Sequence, residues 1–174
     1  MKAYRMTSIL ICIVAGFTFI SSLGWAADYQ ETRNTLRGLK GVDVVIENIR
    51  PEIENDGLTT SQIRNDVELS LRLVGMKVLN GDRWLRGKRK PWLYVNTNVM
   101  KTQHSEYIYN IFVSLMQGVI LVRNPGLKNT KIPYDAATWS KSFVAVTPYI
   151  SDIRNDIKNE VDRFLAAWIS VNLE

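Results

Sequence analysis

Few side chains in this sequence are suited to chemistry. There is one histidine, His104, and one cysteine, Cys12. Zinc and iron sites favour imidazole or thiolate ligands, so a lone histidine between Gln103 and Ser105 argues against such a centre. Glu52, Glu54 and Asp56 lie close together but lack the alternating oxygen ligands and downstream glutamate of a calcium loop. They read as a solvated loop. No serine occupies a Gly-x-Ser-x-Gly elbow, and no Ser-x-x-Lys string leads into a helix. Gly81 and Gly87 flank basic residues without the spacing of a phosphate loop. A glycosidase-like pair of facing carboxylates would leave no trace in sequence. The expectation is a non-catalytic protein without metal or cofactor, with a carboxylate-dependent hydrolase as the remaining enzymatic alternative.

One concentrated feature is left. Arg83, Trp84, Arg86, Lys88, Arg89, Lys90 and Trp92 form a basic, aromatic segment. Its cations suit an anionic lipid head group, a polyanionic glycan or an acidic protein patch, with Trp84 and Trp92 supplying anchoring area. The plainer reading is a solvated loop between two strands, with Trp84 folded back on the core. Asp82 to Lys90 holds five basic residues and one acid, a net +4. Residues beyond the first 26 hold 20 cations and 17 acids, a net +3, so everything outside the cluster sums to −1. The basicity is local.

The N-terminal residues read as a secretory signal. Lys2 and Arg5 precede an apolar run, Ile9 to Ile20, that is short for a membrane span. Gly24-Trp25-Ala26 then places small residues where a signal peptidase needs them. Cleavage is expected after Ala26, with Ala27 as the next candidate and an uncleaved anchor as the alternative. Cys12 follows Ile9-Leu10-Ile11, which is no lipidation signal. Residues 1–26 are thus expected to be removed, leaving 27–174 as a single domain outside the cytoplasm. Export argues against nucleic acid as the partner of the basic segment.

The elements that would position these groups are legible in outline. Asp28 to Lys40 reads as a lead-in with a short helix, and Val42 to Ile49 as a strand stopped by Arg50-Pro51. Glu52 to Gly57 reads as a polar loop. Thr59-Thr60-Ser61-Gln62 fits a capping box, and Ile63, Val67, Leu71 and Val74 follow at helical spacing, with Leu69 and Leu73 widening the stripe. Gly75 suits the left-handed position that closes a helix. Met76 to Leu79 predicts a short strand. Trp92 to Lys101 alternates cleanly, and a turn at 103–106 leads into a strand from Tyr107 to about Val122, with a possible bulge at Gly118. Ala137 to Val146 predicts another strand. Thr147-Pro148 reads as the cap and first turn of a long helix carrying Ile153, Ile157, Val161, Phe164 and Trp168 on one face.

This order predicts an α+β two-layer sandwich, with two amphipathic helices on one face of a mostly antiparallel four- or five-stranded sheet. Residues 42–79 suggest a crossover unit. Both faces of the Tyr107 strand carry apolar residues. The second face is therefore either covered by the lead-in or left open for another molecule, a second copy of the chain included. The same element order behind a signal peptide resembles the N-terminal domain of TolB-like proteins and the LptE-like lipopolysaccharide-assembly lipoproteins, as architecture only. That resemblance implies an envelope binding or assembly module. The functional expectation is a non-catalytic periplasmic or secreted module binding an envelope protein or an anionic envelope component, the alternative being a carrier of a small apolar ligand.

Overall fold

The computed structural model describes residues 28–79, 90–125 and 134–173. The expected leader, residues 1–26, lies outside them. Four helices and five strands follow in the order α1 (Gln30–Asn34), β1 (Gly41–Ile46), α2 (Pro51–Asn55), α3 (Thr60–Leu73), β2 (Lys77–Val78), β3 (Trp92–Lys101), β4 (Tyr107–Val119), β5 (Tyr134–Thr147) and α4 (Ile150–Asn172). The sheet order is β2-β1-β3-β4-β5. β1 runs parallel to both β2 and β3, whereas the long β3–β4 and β4–β5 pairings are antiparallel. The fold is the expected α+β sandwich, with α3 and α4 on one face of an open sheet.

Local sequence dictates the ends of α3. The Gln62 backbone N–H donates to the Thr59 hydroxyl at 3.2 Å, and the Thr59 N–H donates to Gln62 Oε1 at 3.1 Å. These two bonds satisfy donors that the first helical turn leaves free. At the other end Gly75 has φ +82°, a conformation glycine adopts without steric cost. Its N–H bonds to the Arg72 carbonyl and that of Met76 to the Leu71 carbonyl, the two bonds of a Schellman closure. Ile63, Val67 and Leu71 are buried against the sheet. Leu69 and Leu73 are exposed instead, because the stripe that faces the sheet is narrower than the sequence suggested.

α4 supplies the other half of the cover. Ile153, Ile157, Val161, Phe164, Leu165 and Trp168 are buried, and the helix packs on α3, β4 and β5. Phe164 meets Trp139 edge to face, with ring centroids 5.3 Å apart. Among the described residues the core hydrophobics lie between Leu36 and Val171.

Four expectations are corrected. Residues 51–55 form a helix and not a loop: Pro51 stands at its first position and the fully buried Ile53 pins it to the core. Thr147 is the last residue of β5 and not a helix cap; the cap position belongs to Tyr149. The Thr147 hydroxyl still serves the turn, accepting from the Tyr149 N–H and donating to Asp152. The irregularity in β4 falls at Leu115/Met116, where β5 carries an extra residue, and not at Gly118. Finally, β4 ends at Val119, three residues short of Val122.

Candidate binding surface

The lead-in does not cover the second sheet face. It docks on the helical side, where Asp28 accepts from Arg33 Nε and Nη2, both at 2.8 Å, and from Trp139 Nε1 at 3.1 Å. Asn172 closes the same corner, accepting from the Gly38 N–H and donating to the Leu36 carbonyl. Among the described residues no helix lies on the opposite face.

Strand register arranges that face in rows. Met100, Ile108 and Val146 form one row, and Asn98, Asn110 and Val144 the next. Asn96, Phe112 and Ser142 follow, then Tyr94, Ser114 and Ser140. Trp92 and Met116 form the last row, with Val45 of β1 beside Tyr94. The result is an aromatic band, a central ladder of amides and an aliphatic corner. Val144 is 69 % exposed, and Val146 and Met100 are more than half exposed. Three exposed apolar side chains in contiguous rows are less common on a solvated surface than the same residues scattered singly.

A chain of hydrogen bonds orders the amides and Tyr94, while the fully buried Ser114 hydroxyl has no partner among the described residues. Asn98 Nδ2 donates to Asn96 Oδ1 at 2.8 Å, Asn96 Nδ2 to the Tyr94 hydroxyl at 3.1 Å, and that hydroxyl to Glu47 Oε2 at 2.7 Å. The bond to the Glu47 carboxylate pushes the Tyr94 phenol above its usual range. Trp92 and Phe112 each meet the Tyr94 ring edge to face, at 5.8 and 6.3 Å. These contacts fix the aromatic band before any partner arrives, which lowers the ordering cost of binding.

The depression between Asn98, Met100, Ile108, Asn110, Val144 and Arg50 holds about 200 Å³. That falls below the roughly 300–1,000 Å³ of pockets that enclose a small ligand. A surface of this shape suits a broad partner better than an engulfed molecule. The outer edge of β5 is less inviting: Lys141 points inward from it and is 5 % exposed, a device that discourages strand addition.

Of the residues singled out in the sequence, Arg83, Trp84, Arg86, Lys88 and Arg89 lie outside the described residues. Lys90 and Trp92 lie within them, with Trp92 opening β3 on the uncovered face. The structure adds the amide ladder, which the alternation of β3 hinted at through Asn96 and Asn98. His104 sits exposed in the β3–β4 turn.

The carboxylates serve the fold. Asp66 and Arg154 form a two-bond pair at 2.7 and 3.0 Å that ties α3 to α4, and the guanidinium holds the Asp66 carboxyl below its usual range. Asp156 accepts from the Tyr109 hydroxyl, and burial, with that bond second, pushes the phenol well above its usual value. Among the described residues no aspartate or glutamate lines the depression on the uncovered face. Among the described residues no group of three histidine, cysteine or carboxylate side chains could hold a metal ion, and no helix is long and apolar enough to cross a membrane. No protein-family model matches the chain, and comparison with curated proteins returns no match.

Proposed function

We propose that the chain is a non-catalytic binding or assembly module working outside the cytoplasm, with the uncovered sheet face as its working surface. The observation that supports this most directly is the preorganised face itself: a locked aromatic band, an amide ladder with acceptors to spare, and an exposed aliphatic corner. Aromatic anchors set beside hydrogen-bonded amides are what recognition surfaces use. The expected signal peptide and the architectural resemblance to envelope assembly domains point to a protein partner in the cell envelope.

A photo-crosslinking residue at Val144, introduced in the native host, tests the reading. A discrete adduct is expected from position 144 and none from the exposed Leu73 on α3. The adduct mass separates a second copy of the chain from a different protein. Equal or absent adducts at both positions would refute the assignment of the sheet face.

A further inference from the structure

The rows of the uncovered face carry a signal about what covers them. Fourteen side chains of β3, β4 and β5 stand on that side, and none is charged. The whole chain is 22 % charged, so about three charges would be expected there, and loss of charge with gain of aromatic residues and methionine marks the centre of a protein interface. Charges stand only around the rows, and both signs are present. Among the described residues Lys77, Lys90 and Arg50 face Asp43, Glu47, Glu106 and Asp135 across or along the margin.

Given the sheet face as the working surface, a reading on which this one rests, we propose that its occupant is a second copy of the chain, docked sheet to sheet. A surface that meets its own image brings each charge up to a like charge, which costs several kcal/mol. A charge-free centre with a margin of mixed sign removes that obstacle. The amides suit self-association for the same reason of symmetry. Asn98 gives one side-chain N–H to Asn96 and Asn110 gives one to the Phe143 carbonyl, so each keeps a second N–H and a carbonyl oxygen for the same group on a partner.

Shape and size agree. Two twisted sheets pack face to face about 10 Å apart, and the one depression described on this face, about 200 Å³, is shallow enough for Val144 or Met100 of the partner copy to fill. At about 4.8 Å between strands and about 3.4 Å per residue, β1 with β3, β4 and β5 presents about 30 by 19 Å. Two copies would then bury about 1,100 Å² in total, just above the roughly 1,000 Å² that a specific interface needs. An area at that lower end sets the dissociation constant on the order of 10 µM.

The test is sedimentation equilibrium of the protein expressed from the full chain in its native host, from about 1 to about 200 µM, where a monomer passing into a dimer is expected. Val144→Glu with Val146→Glu, both exposed in a single copy, should weaken the dimer at least about a hundredfold while melting as the dilute parent does. Asn98→Arg, on another strand, should weaken it too. Leu69→Glu with Leu73→Glu, an equally exposed apolar pair on α3, should associate as the parent does. A parent that stays monomeric, a dimer that survives both sheet-face variants, or one lost equally in the α3 variant would each overturn the second copy as occupant. A monomer whose position 144 still crosslinks to a different protein would end this inference and leave the sheet face as the working surface. A monomer with no adduct at position 144 would end both.

Discussion

Replacing Asp28 with alanine probes the corner where the lead-in meets the helical layer. The carboxylate accepts two bonds from Arg33 and one from Trp139 Nε1. Hydrogen bonds to a charged group contribute about 1.5–3 kcal/mol, but the Arg33 side chain is about a third exposed and solvent screens much of its share. Trp139 is 1 % exposed, and stranding its indole N–H in the core costs about 1–3 kcal/mol. Together these place the loss at about 2–3 kcal/mol. The sign with pH follows from Arg33, whose hydrogen bonds hold the Asp28 carboxyl below its usual range against the opposing effect of burial. A depressed carboxylate contributes stability that is present above the unfolded value, near 3.9, and is lost as pH falls through the folded value. Urea unfolding of the chain from Ala27, followed by tryptophan fluorescence, should show the full deficit at pH 7 and a smaller one at pH 3. Trp139→Phe removes the same indole bond, so the double variant should be less destabilised than the sum of the singles by about 1 kcal/mol. A deficit under about 0.5 kcal/mol at pH 7, or strict additivity, would refute the assigned role of Asp28. The anchor also makes the N-terminal boundary matter, because a chain trimmed past Asp28 should unfold like the alanine variant.

Two further outcomes are expected. Glu160 is 2 % exposed, its Oε1 pairs with Arg163 at 3.1 Å and its Oε2 has no partner. Burial raises its pKa, with Arg163 and then Lys141 opposing, so the native state loses stability as pH rises through the folded value. Glu160→Gln should therefore gain about 1 kcal/mol at pH 8 and little at pH 4 in thermal melts, and a variant that is weaker at pH 8 would contradict this. Gly41→Ala should cost about 1–3 kcal/mol by pressing β1 off β2, read as a lower denaturant midpoint, and parental stability would show that β2 yields freely.

What the sequence made legible was local. Thr59, Gln62 and Gly75 declare the ends of α3 because capping chemistry acts within four residues. The alternation of Trp92 to Lys101 declares β3 because pleating is a property of one strand. Residues 51–55 escaped because a proline and three polar residues surround the one that matters, Ile53, and its burial is decided by elements far along the chain. The inward-pointing Lys141 and the buried Glu160 escaped for the same reason. Strand order is equally non-local: that β1 would lie between β2 and β3 could not be read from any window. The candidate surface was half visible, since two-sided apolar strands marked it but the side taken by the lead-in did not follow from composition.

The position of α4 in the chain has a consequence for biosynthesis. The helix that caps β4 and β5 comes last among the described elements, and its Trp168 and Asn172 bond back to Leu39, Gly38 and Leu36 near the start. A ribosome that has not yet passed Ile150 therefore carries a polypeptide whose Leu93, Ile111 and Val113 lack their lid. Contacts of such long sequence separation form late, so the nascent protein stays loose until α4 emerges. A product stopped short of it would aggregate.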